Sequence, residues 1–443
     1  MKKLLMLAYA YPPSARTGTY RTLRFSKYLP DEGWQPIILT LDEKKYEIID
    51  NNLVNEVPPV AKIYRTPAWL FYSRYSQIIK AVRKIVKKSP DGDGIKGGKN
   101  PAPKSKVSWK KIPADLLRTP DEAVGWIPFA FIAGLYLIYT QKIDAIYATG
   151  GPFSTFITAV WLKKISGKPL VVDFRDPWAS DYNNMWSHPW LNKVAWICEK
   201  SAVLNADVVI ANTETLKKQL VLNHNIQENK VIVINNGFDE ADFSKLSKQH
   251  YEKFTIVFTG SFYSARNPSN FFFALRELLN EDKTLEDKIQ LVFAGSGFHK
   301  YFDLIEKSGL GKLVTWKKQV EHKKALELMN SAHLLLLTNI YLGCCQIPSK
   351  TFEYFAAGKP ILALAEPGAL ADLFSSENVS GKVVDPEDIL QIKEAIKEFY
   401  LQYINGTLKE QPSVLWKKFN SRNLTHLLAG VLNQELKKYV FQN

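Results

Sequence analysis

The chain has 443 residues, of which 46% are hydrophobic and 23% charged, and its formal net charge is +14. This composition excludes a disordered or fibrous protein, and the length allows two α/β domains with large cores. The three cysteines have no zinc-binding spacing, and adjacent Cys344 and Cys345 are poorly placed to bond each other. We therefore expect a reducing, cytoplasmic compartment.

The first residues of the chain are predicted to form a buried strand followed by a loop. The apolar stretch spans only residues 4–10, and Pro12 and Pro13 follow where the cleavage region of a secretion signal would lie. We predict a strand at residues 3–9, a helix at residues 20–33 and a second strand at residues 36–40. These elements begin an alternation of strands and helices.

Much of the positive charge lies in a basic insertion at about residues 75–112. Between residues 78 and 112 there are eleven lysines and arginines and two aspartates, which is +9 of the +14. Residues 71–88 predict a basic amphipathic helix, which could lie on a membrane or pack on the domain. A patch confined to one insertion favours an anionic lipid surface over nucleic acid, and a solvated loop explains the charge equally well.

The apolar segment 127–139 is too short to span a bilayer and contains Pro128, so it predicts a buried helix. Further predicted strands lie at residues 145–148, 169–174, 206–211, 230–234, 254–258, 290–294, 314–316, 333–337 and 360–363. The two series of about 200 residues each predict two Rossmann-like domains with parallel sheets. We place the domains at residues 1–245 and 246–420, with a helical tail at 421–443 that packs back on the first domain.

Glycine-rich loops follow two strands of the second series. Ligands in open parallel sheets bind beyond the carboxyl ends of the strands. Gly260 and Ser261 follow one strand and precede Arg266, whose guanidinium suits a diphosphate, although a routine turn with a surface arginine explains the same residues. Gly295 follows the next strand in a Gly-Ser-Gly sequence, which is a weak signal by itself.

A helix start near residue 350 is the most informative feature. Its first turn contains, in succession, Pro348, Ser349, Lys350 and Thr351. Free amides and a cation at such a position can bind phosphate. Glu353 follows on the same face, where a carboxylate could accept hydrogen bonds from ribose hydroxyls. The turn therefore predicts a nucleotide site.

The segment PSKTFEYFAAGKPIL, residues 348–362, resembles the donor-binding segment of the family 4 (group 1) retaining glycosyltransferases, which have the GT-B fold. Other segments agree in the same order, among them ATGGPFSTF, VVDFRDPW, INNGFD and TGSFYSARNP. The resemblance covers nearly the whole chain except the basic insertion. It implies two Rossmann-like domains whose parallel sheets face each other across a cleft. The first domain would bind the acceptor, and the second a nucleoside diphosphate sugar as donor.

The resemblance also implies roles for individual residues. Arg266 and Lys350 would neutralise the leaving diphosphate, and Glu353 would hold the ribose. Further donor contacts would come from Gly18, Gly260, Ser261, Gly295, Val320, Pro348, Ser349 and Thr351. The sugar or acceptor site would include Arg175, Asp176 and Gly150.

Two positions depart from the family pattern. Cys345 stands where the family often has a glutamate, which questions how the donor sugar's hydroxyls are held. Arg175 stands where many members have histidine, which questions any histidine-based role there. Neither departure removes the diphosphate site.

The expected reaction needs no metal and no cofactor beyond the donor. Breaking the anomeric bond builds negative charge on the diphosphate, which preorganised cations and amides stabilise. Asp91-Gly92-Asp93 imitates a metal motif, but no strand precedes it and we expect no metal there. We expect a uridine or guanosine diphosphate sugar.

The expected acceptor is a saccharide or a lipid-linked saccharide of cell-surface polysaccharide synthesis. The basic insertion would hold the enzyme on the inner face of the plasma membrane, and we expect no nucleic-acid partner. Two alternatives remain. One is a sugar-nucleotide epimerase of the same fold, which would isomerise donor alone. The other is a non-catalytic basic scaffold that binds membrane or nucleic acid, which would have no nucleotide affinity.

Overall fold

The computed structural model describes residues 1–69, 112–179, 186, 188–262, 267–339 and 345–442. Most of the predicted basic insertion, including Asp91-Gly92-Asp93, lies outside the described residues. So do Arg266 and Cys344.

The chain divides into two compact units. The first unit contains Met1–Asn212, Leu216–Ile234 and Thr425–Asn443, and the second contains Thr213–Thr215 and Asn235–Leu424. The boundary between the two units along the chain therefore lies after residue 234, whereas the sequence analysis placed it after residue 245. The Phe238 N–H donates to the Phe419 carbonyl at 3.1 Å, and the Ser421 N–H donates to the Phe238 carbonyl at 2.8 Å. These hydrogen bonds tie the segment after residue 234 to the second unit.

The first unit is built on a parallel sheet of seven strands. The strands are β1 (Lys2–Leu7), β2 (Trp34–Leu41), β3 (Lys62–Thr66), β4 (Ala145–Thr149), β5 (Leu170–Phe174), β6 (Val208–Ala211) and β7 (Val231–Val233), in the spatial order β3-β2-β1-β4-β5-β6-β7. The helices are α1 (Thr17–Tyr28), α2 (Ile112–Leu116), α3 (Ile127–Thr140), α4 (Ser154–Ser166), α5 (Pro189–Asn205) and α6 (Glu214–His224). The central strands are buried along their length, which explains their nearly continuous apolar sequences.

The second unit is built on a parallel sheet of six strands. The strands are β8 (Phe254–Thr259), β9 (Ile289–Ala294), β10 (Val314–Lys317), β11 (Leu334–Asn339), β12 (Ile361–Ala365) and β13 (Gly381–Val384), in the spatial order β10-β9-β8-β11-β12-β13. The helices are α7 (Glu240–Phe243), α8 (Ser269–Glu281), α9 (Phe302–Lys307), α10 (His322–Ser331), α11 (Lys350–Ala357), α12 (Ala369–Ser376), α13 (Ile389–Ile404) and α14 (Val414–Phe419). The two parallel sheets confirm the predicted fold class.

The sequence missed β3 and β13. Both lie at an edge of their sheet, and most of their residues are only half-buried. Edge strands need no continuous apolar sequence, so the hydrophobic pattern does not mark them.

The predicted helical tail at residues 421–443 is a single helix, and one non-helical residue separates it from α14. α14 ends at Phe419, and the backbone of the next residue, Asn420, is extended at φ −68° and ψ 133°. α15 (Ser421–Gln442) follows and belongs to the first unit from Thr425 onward. Its Asn433 accepts hydrogen bonds from Lys2 Nζ at 2.6 Å and Trp34 Nε1 at 3.2 Å.

The predicted buried helix at residues 127–139 is α3, and only one of its faces is buried. Ala130 and Leu137 are inside, whereas Ile132, Tyr136 and Tyr139 are exposed. A helix that covers one face of a sheet buries only the side of the helix that faces the sheet. Because α3 has apolar residues on all its sides, some of them remain exposed to solvent. Within the described residues, no helix combines the length and apolar character that crossing a bilayer requires.

Candidate active site

The helix start predicted to bind phosphate is the first turn of α11, in the second unit. Lys350 Nζ lies 2.7 Å from Glu353 Oε2, and His322 Nε2 lies 3.1 Å from Glu353 Oε1. The side chains are 26%, 11% and 23% exposed for Lys350, Glu353 and His322, so solvent and ligands can reach this cluster. We call these three residues the α11 cluster.

The sequence did not predict that His322 pairs with Glu353. His322 is the first residue of α10 and lies 31 positions before Glu353. Only the packing of α10 against α11 brings the two side chains together. No local sequence signal could have indicated this contact.

The first turn of α11 offers fewer groups to a ligand than the sequence predicted. The Thr351 N–H donates to the Pro348 carbonyl at 2.9 Å, and the Thr351 side chain is fully buried. The Phe352 N–H likewise donates to the Ser349 carbonyl at 3.2 Å. Thr351 therefore stabilises the turn, and its predicted contact with the donor does not fit its burial. Pro348 is also buried, whereas Ser349 is half-exposed.

The glycine-rich loops after β8 and β9 pack on each other. Gly260 and Gly295 have φ angles of 144° and 138°, which favour glycine. A β-carbon at Gly295 would lie 1.7 Å from the Gly260 carbonyl oxygen. The hydroxyls of Ser261 and Ser296 lie 2.8 Å apart. The predicted residues Gly260, Ser261 and Gly295 thus share one surface, and the packing of the loops alone explains Gly295.

Tyr354 connects this surface to α11, although the sequence analysis gave it no role. Its fully buried hydroxyl accepts a hydrogen bond from the Thr259 N–H at 3.2 Å and donates one to the Leu336 carbonyl at 3.2 Å. The carboxyl end of β8 and the helix that carries Glu353 are therefore fixed to each other. An aromatic residue within an apolar helix predicts a core position, so the sequence does not indicate that the Tyr354 hydroxyl links α11 to β8.

Two further predicted positions lie mainly in the interior. Val320 is partly buried against the core of the second unit, just before α10. Cys345 is buried, so its thiol packs inside the unit. A buried thiol cannot replace the hydrogen-bonding capacity of a carboxylate toward sugar hydroxyls.

Three loops of the first unit bring together the residues predicted for the sugar or acceptor site. Arg175 follows β5, and its guanidinium donates to the carbonyls of Gly150 at 2.6 Å and Gly151 at 2.5 Å. A β-carbon at Gly18 would lie 2.0 Å from Arg175 Nη1. Gly18 therefore makes room for Arg175, a different reason from the phosphate approach that the resemblance implied. Asp176 follows and is exposed.

A buried ionic cluster lies beneath these loops. Arg21 Nε and Nη2 donate to the two carboxylate oxygens of Asp173 at 2.7 and 2.9 Å, and the Tyr147 hydroxyl donates to Asp173 Oδ2 at 2.5 Å. Burial, and then the neighbouring Asp173 carboxylate, raise the pKa of the Tyr147 hydroxyl well above its ordinary value. The sequence analysis missed this cluster, although an aspartate within the apolar strand LVVDF was a signal that could have indicated a buried partner.

Two family models match the chain. Residues 238–411 match the glycosyl transferases group 1, and residues 100–242 match the glycosyltransferase family 4. Together the two matches extend from residue 100 to residue 411, which is well over half of the chain. The chain belongs to the family 4 (group 1) glycosyltransferases, which confirms the predicted family.

Solved structures share the fold at low sequence identity. HepE from Anabaena in complex with UDP-glucose has a TM-score of 0.63 at 13% identity, and the match covers 98% of this chain and 100% of that one. Sucrose-phosphate synthase from Thermosynechococcus elongatus has a TM-score of 0.64 at 14% identity, with coverage of 98% and 99%. A protein provisionally assigned as a UDP-N-acetylglucosamine 2-epimerase, from Listeria monocytogenes, has a TM-score of 0.60 at 10% identity, with coverage of 99% and 98%. These likenesses show the GT-B fold. A search of curated proteins gives no match.

Proposed function

We propose that this protein transfers a sugar from a nucleoside diphosphate sugar to a saccharide acceptor and retains the anomeric configuration. The observation that carries the proposal is the α11 cluster, which lies within the segment 238–411 matched by the group 1 glycosyltransferases. It offers a lysine and a carboxylate from the start of α11 and an imidazole from the start of α10. The complex of HepE with UDP-glucose supports a uridine diphosphate sugar as donor.

Donor binding would exchange the partners within this cluster. Lys350 Nζ lies 2.7 Å from the Glu353 carboxylate. A diphosphate carries more negative charge than the carboxylate and would draw the ammonium away. Glu353 would then accept hydrogen bonds from the ribose hydroxyls, while His322 continues to hold Oε1 in place.

The cations then stabilise the transition state. As the anomeric bond breaks, positive charge develops on the sugar and negative charge on the departing diphosphate. Lys350, Arg266 and the positive end of the α11 dipole would stabilise that negative charge, which is the largest catalytic contribution available here. In this proposal the acceptor hydroxyl attacks from the face that the diphosphate leaves, and a departing phosphate oxygen takes its proton. No metal takes part.

We further propose a lipid-linked saccharide of cell-surface polysaccharide synthesis as the acceptor. The loops that carry Gly150, Arg175 and Asp176 would form its site in the first unit. The charge of the basic insertion supports a position on the inner face of the plasma membrane.

The test is transfer of labelled sugar from a panel of uridine and guanosine diphosphate sugars, in the presence and absence of a chelator. We expect transfer that the chelator does not affect. Lys350→Gln should lower kcat about 10²- to 10³-fold, because it removes a cation from the leaving group. Lys438→Gln is the matched control, since Lys438 also lies 2.7 Å from a glutamate three residues away, Glu435. It should leave kcat unchanged.

Two results would contradict the proposal. An isomerised sugar nucleotide formed without any acceptor would indicate an epimerase. Absence of any thermal shift with nucleoside diphosphate sugars would indicate a non-catalytic scaffold, since a ligand that binds only the folded state must raise its melting temperature.

A further inference from the structure

Three consecutive helices of the first unit expose large apolar side chains. α3 packs against α4, and α4 packs against α5. Seven large apolar side chains on these helices are between 46% and 68% exposed. They are Ile132, Tyr136, Tyr139, Trp161, Ile165, Ile197 and Leu204. We call this surface the outer helical face.

The exposed residues form stripes and are not scattered singly. On α3, Ile132, Tyr136 and Tyr139 have the spacing of one helix face, as do Trp161 and Ile165 on α4. The Phe131 and Trp161 rings meet edge-on at 5.8 Å between centroids and join the two stripes. Soluble monomers rarely expose a continuous apolar surface of this kind unless it binds something.

The charged residues on these three helices are basic, with one exception. α3 has no charged residue, and α4 has Lys163 and Lys164 but no acidic residue. α5 has Lys193, Lys200 and one acidic residue, Glu199.

Neither that acid nor the neighbouring one leaves a free negative charge on the face. Glu199 is fully buried, with Oε1 2.7 Å from His224 Nε2. Asp207, just beyond α5, pairs with Lys163 at 2.6 Å. The exposed part of the three helices is therefore apolar and basic.

We propose that the outer helical face docks on the surface of an anionic lipid bilayer. Tryptophan and tyrosine have an apolar body and a polar tip, which suits the boundary between acyl chains and headgroups. The lysines would bind the anionic headgroups. A second copy of this face is disfavoured as the occupant, because a symmetric dimer would place the lysines of one copy against those of the other.

The position of this face within the first unit fits an acceptor that is held in a membrane. α4 begins at Ser154, shortly after the Gly150–Gly151 loop that contacts Arg175, and Trp161 lies about 10 Å further along the helix. This relation to an acceptor rests on the proposed function. Lipid binding by the face does not depend on it.

The test is flotation of the full-length protein with vesicles of phosphatidylcholine alone or mixed with phosphatidylglycerol. We expect binding to the mixed vesicles. The variant Ile132→Ser/Tyr136→Ser/Trp161→Ser should bind them at least about tenfold more weakly, because three apolar side chains no longer leave water. The control Leu390→Ser/Ile404→Ser changes exposed apolar residues of α13 in the second unit and should bind normally.

The result that overturns the proposal is equal flotation of the face variant and the wild type, which would place lipid binding elsewhere, for example in the basic insertion. Absence of wild-type flotation overturns it as well. A wild-type dimer in light scattering without lipid, lost in the face variant, would assign the face to self-association instead.

A second measurement uses single substitutions in place of the triple variant. Acyl-brominated phosphatidylglycerol should quench tryptophan emission of the wild type, and quenching should fall in Trp161→Phe while flotation is kept. Lys164→Gln should weaken flotation roughly fivefold, as expected for removal of one lysine near an anionic surface. Unchanged quenching in Trp161→Phe would contradict contact of this face with the acyl region.

Discussion

The ionic clusters near the carboxyl edges of the two sheets differ in burial. In the first unit, the side chains of Arg21 and Asp173 are 7% and 0% exposed. In the second unit, those of Lys350 and Glu353 are 26% and 11% exposed, and a histidine joins them. Both clusters pair a cation with a carboxylate at 2.7 Å. Their distances are equal, so burial is what distinguishes them.

This difference in burial determines which charged side chains can exchange partners. A buried ion that loses its partner cannot be compensated by water, so the first cluster must stay paired and acts as a structural link. An accessible ion can be released to a ligand at low cost, so the second cluster can bind substrate. The first should therefore determine stability and the second binding.

The largest expected effect comes from breaking the buried cluster. Asp173→Asn removes the carboxylate that pairs with the buried Arg21 guanidinium and should lower the free energy of unfolding by about 3–5 kcal/mol. Urea unfolding measures the change. The control is Glu398→Gln, which removes the exposed partner of Lys382 and should cost less than about 1 kcal/mol. If both variants unfold alike, burial does not distinguish the clusters.

The next effect separates binding from stability. Glu353→Gln should weaken UDP binding by roughly 30-fold, or about 2 kcal/mol, because an amide is a poorer acceptor for ribose hydroxyls than a carboxylate. Isothermal calorimetry measures this, and the urea midpoint should change little. Glu435→Gln is the matched control, since Glu435 is 10% exposed and pairs with Lys438 at 2.7 Å. Normal UDP affinity in Glu353→Gln, combined with a large loss of stability, would make the α11 cluster structural.

The smallest effect concerns His333, a half-buried histidine in the second unit, outside the α11 cluster. Burial, and then the nearby Lys359, lower the pKa of His333 from 6.5 to about 4. Between these values the unfolded chain binds more protons than the folded one, so stability is complete above pH 6.5 and falls as the pH drops toward 4. Because the ring is only partly buried, we expect a loss of about 1 kcal/mol.

The variant His333→Asn tests this pH dependence. Its side-chain oxygen can replace His333 Nδ1 as the acceptor for the Thr255 N–H, which lies at 3.0 Å. The difference in unfolding free energy between wild type and variant should change between pH 6.5 and 4 and stay constant above. A constant difference throughout would show that His333 does not titrate in this window.

The sequence by itself was sufficient to predict the two parallel sheets and the position at which α11 begins. Eleven of the thirteen strands were predicted from their apolar residues. Most of them lie inside their sheet, and strands covered on both faces need apolar residues throughout. The helix at residue 350 is marked by a proline and a serine at its start and by Gly358, with φ 73°, at its end. Such signals depend on a few neighbouring residues.

Tertiary structure alone decided which side chains meet. His322 reaches Glu353 only because α10 packs against α11, and Gly18 faces Arg175 only because two distant loops converge at one sheet edge. It also decided burial, which hides Thr351 and leaves one face of α3 in solvent. The spacing of apolar residues along the chain indicates whether a segment forms a strand or a helix and how apolar that segment is. Only the spatial order of strands and helices determines what covers each segment and which charge lies beside another.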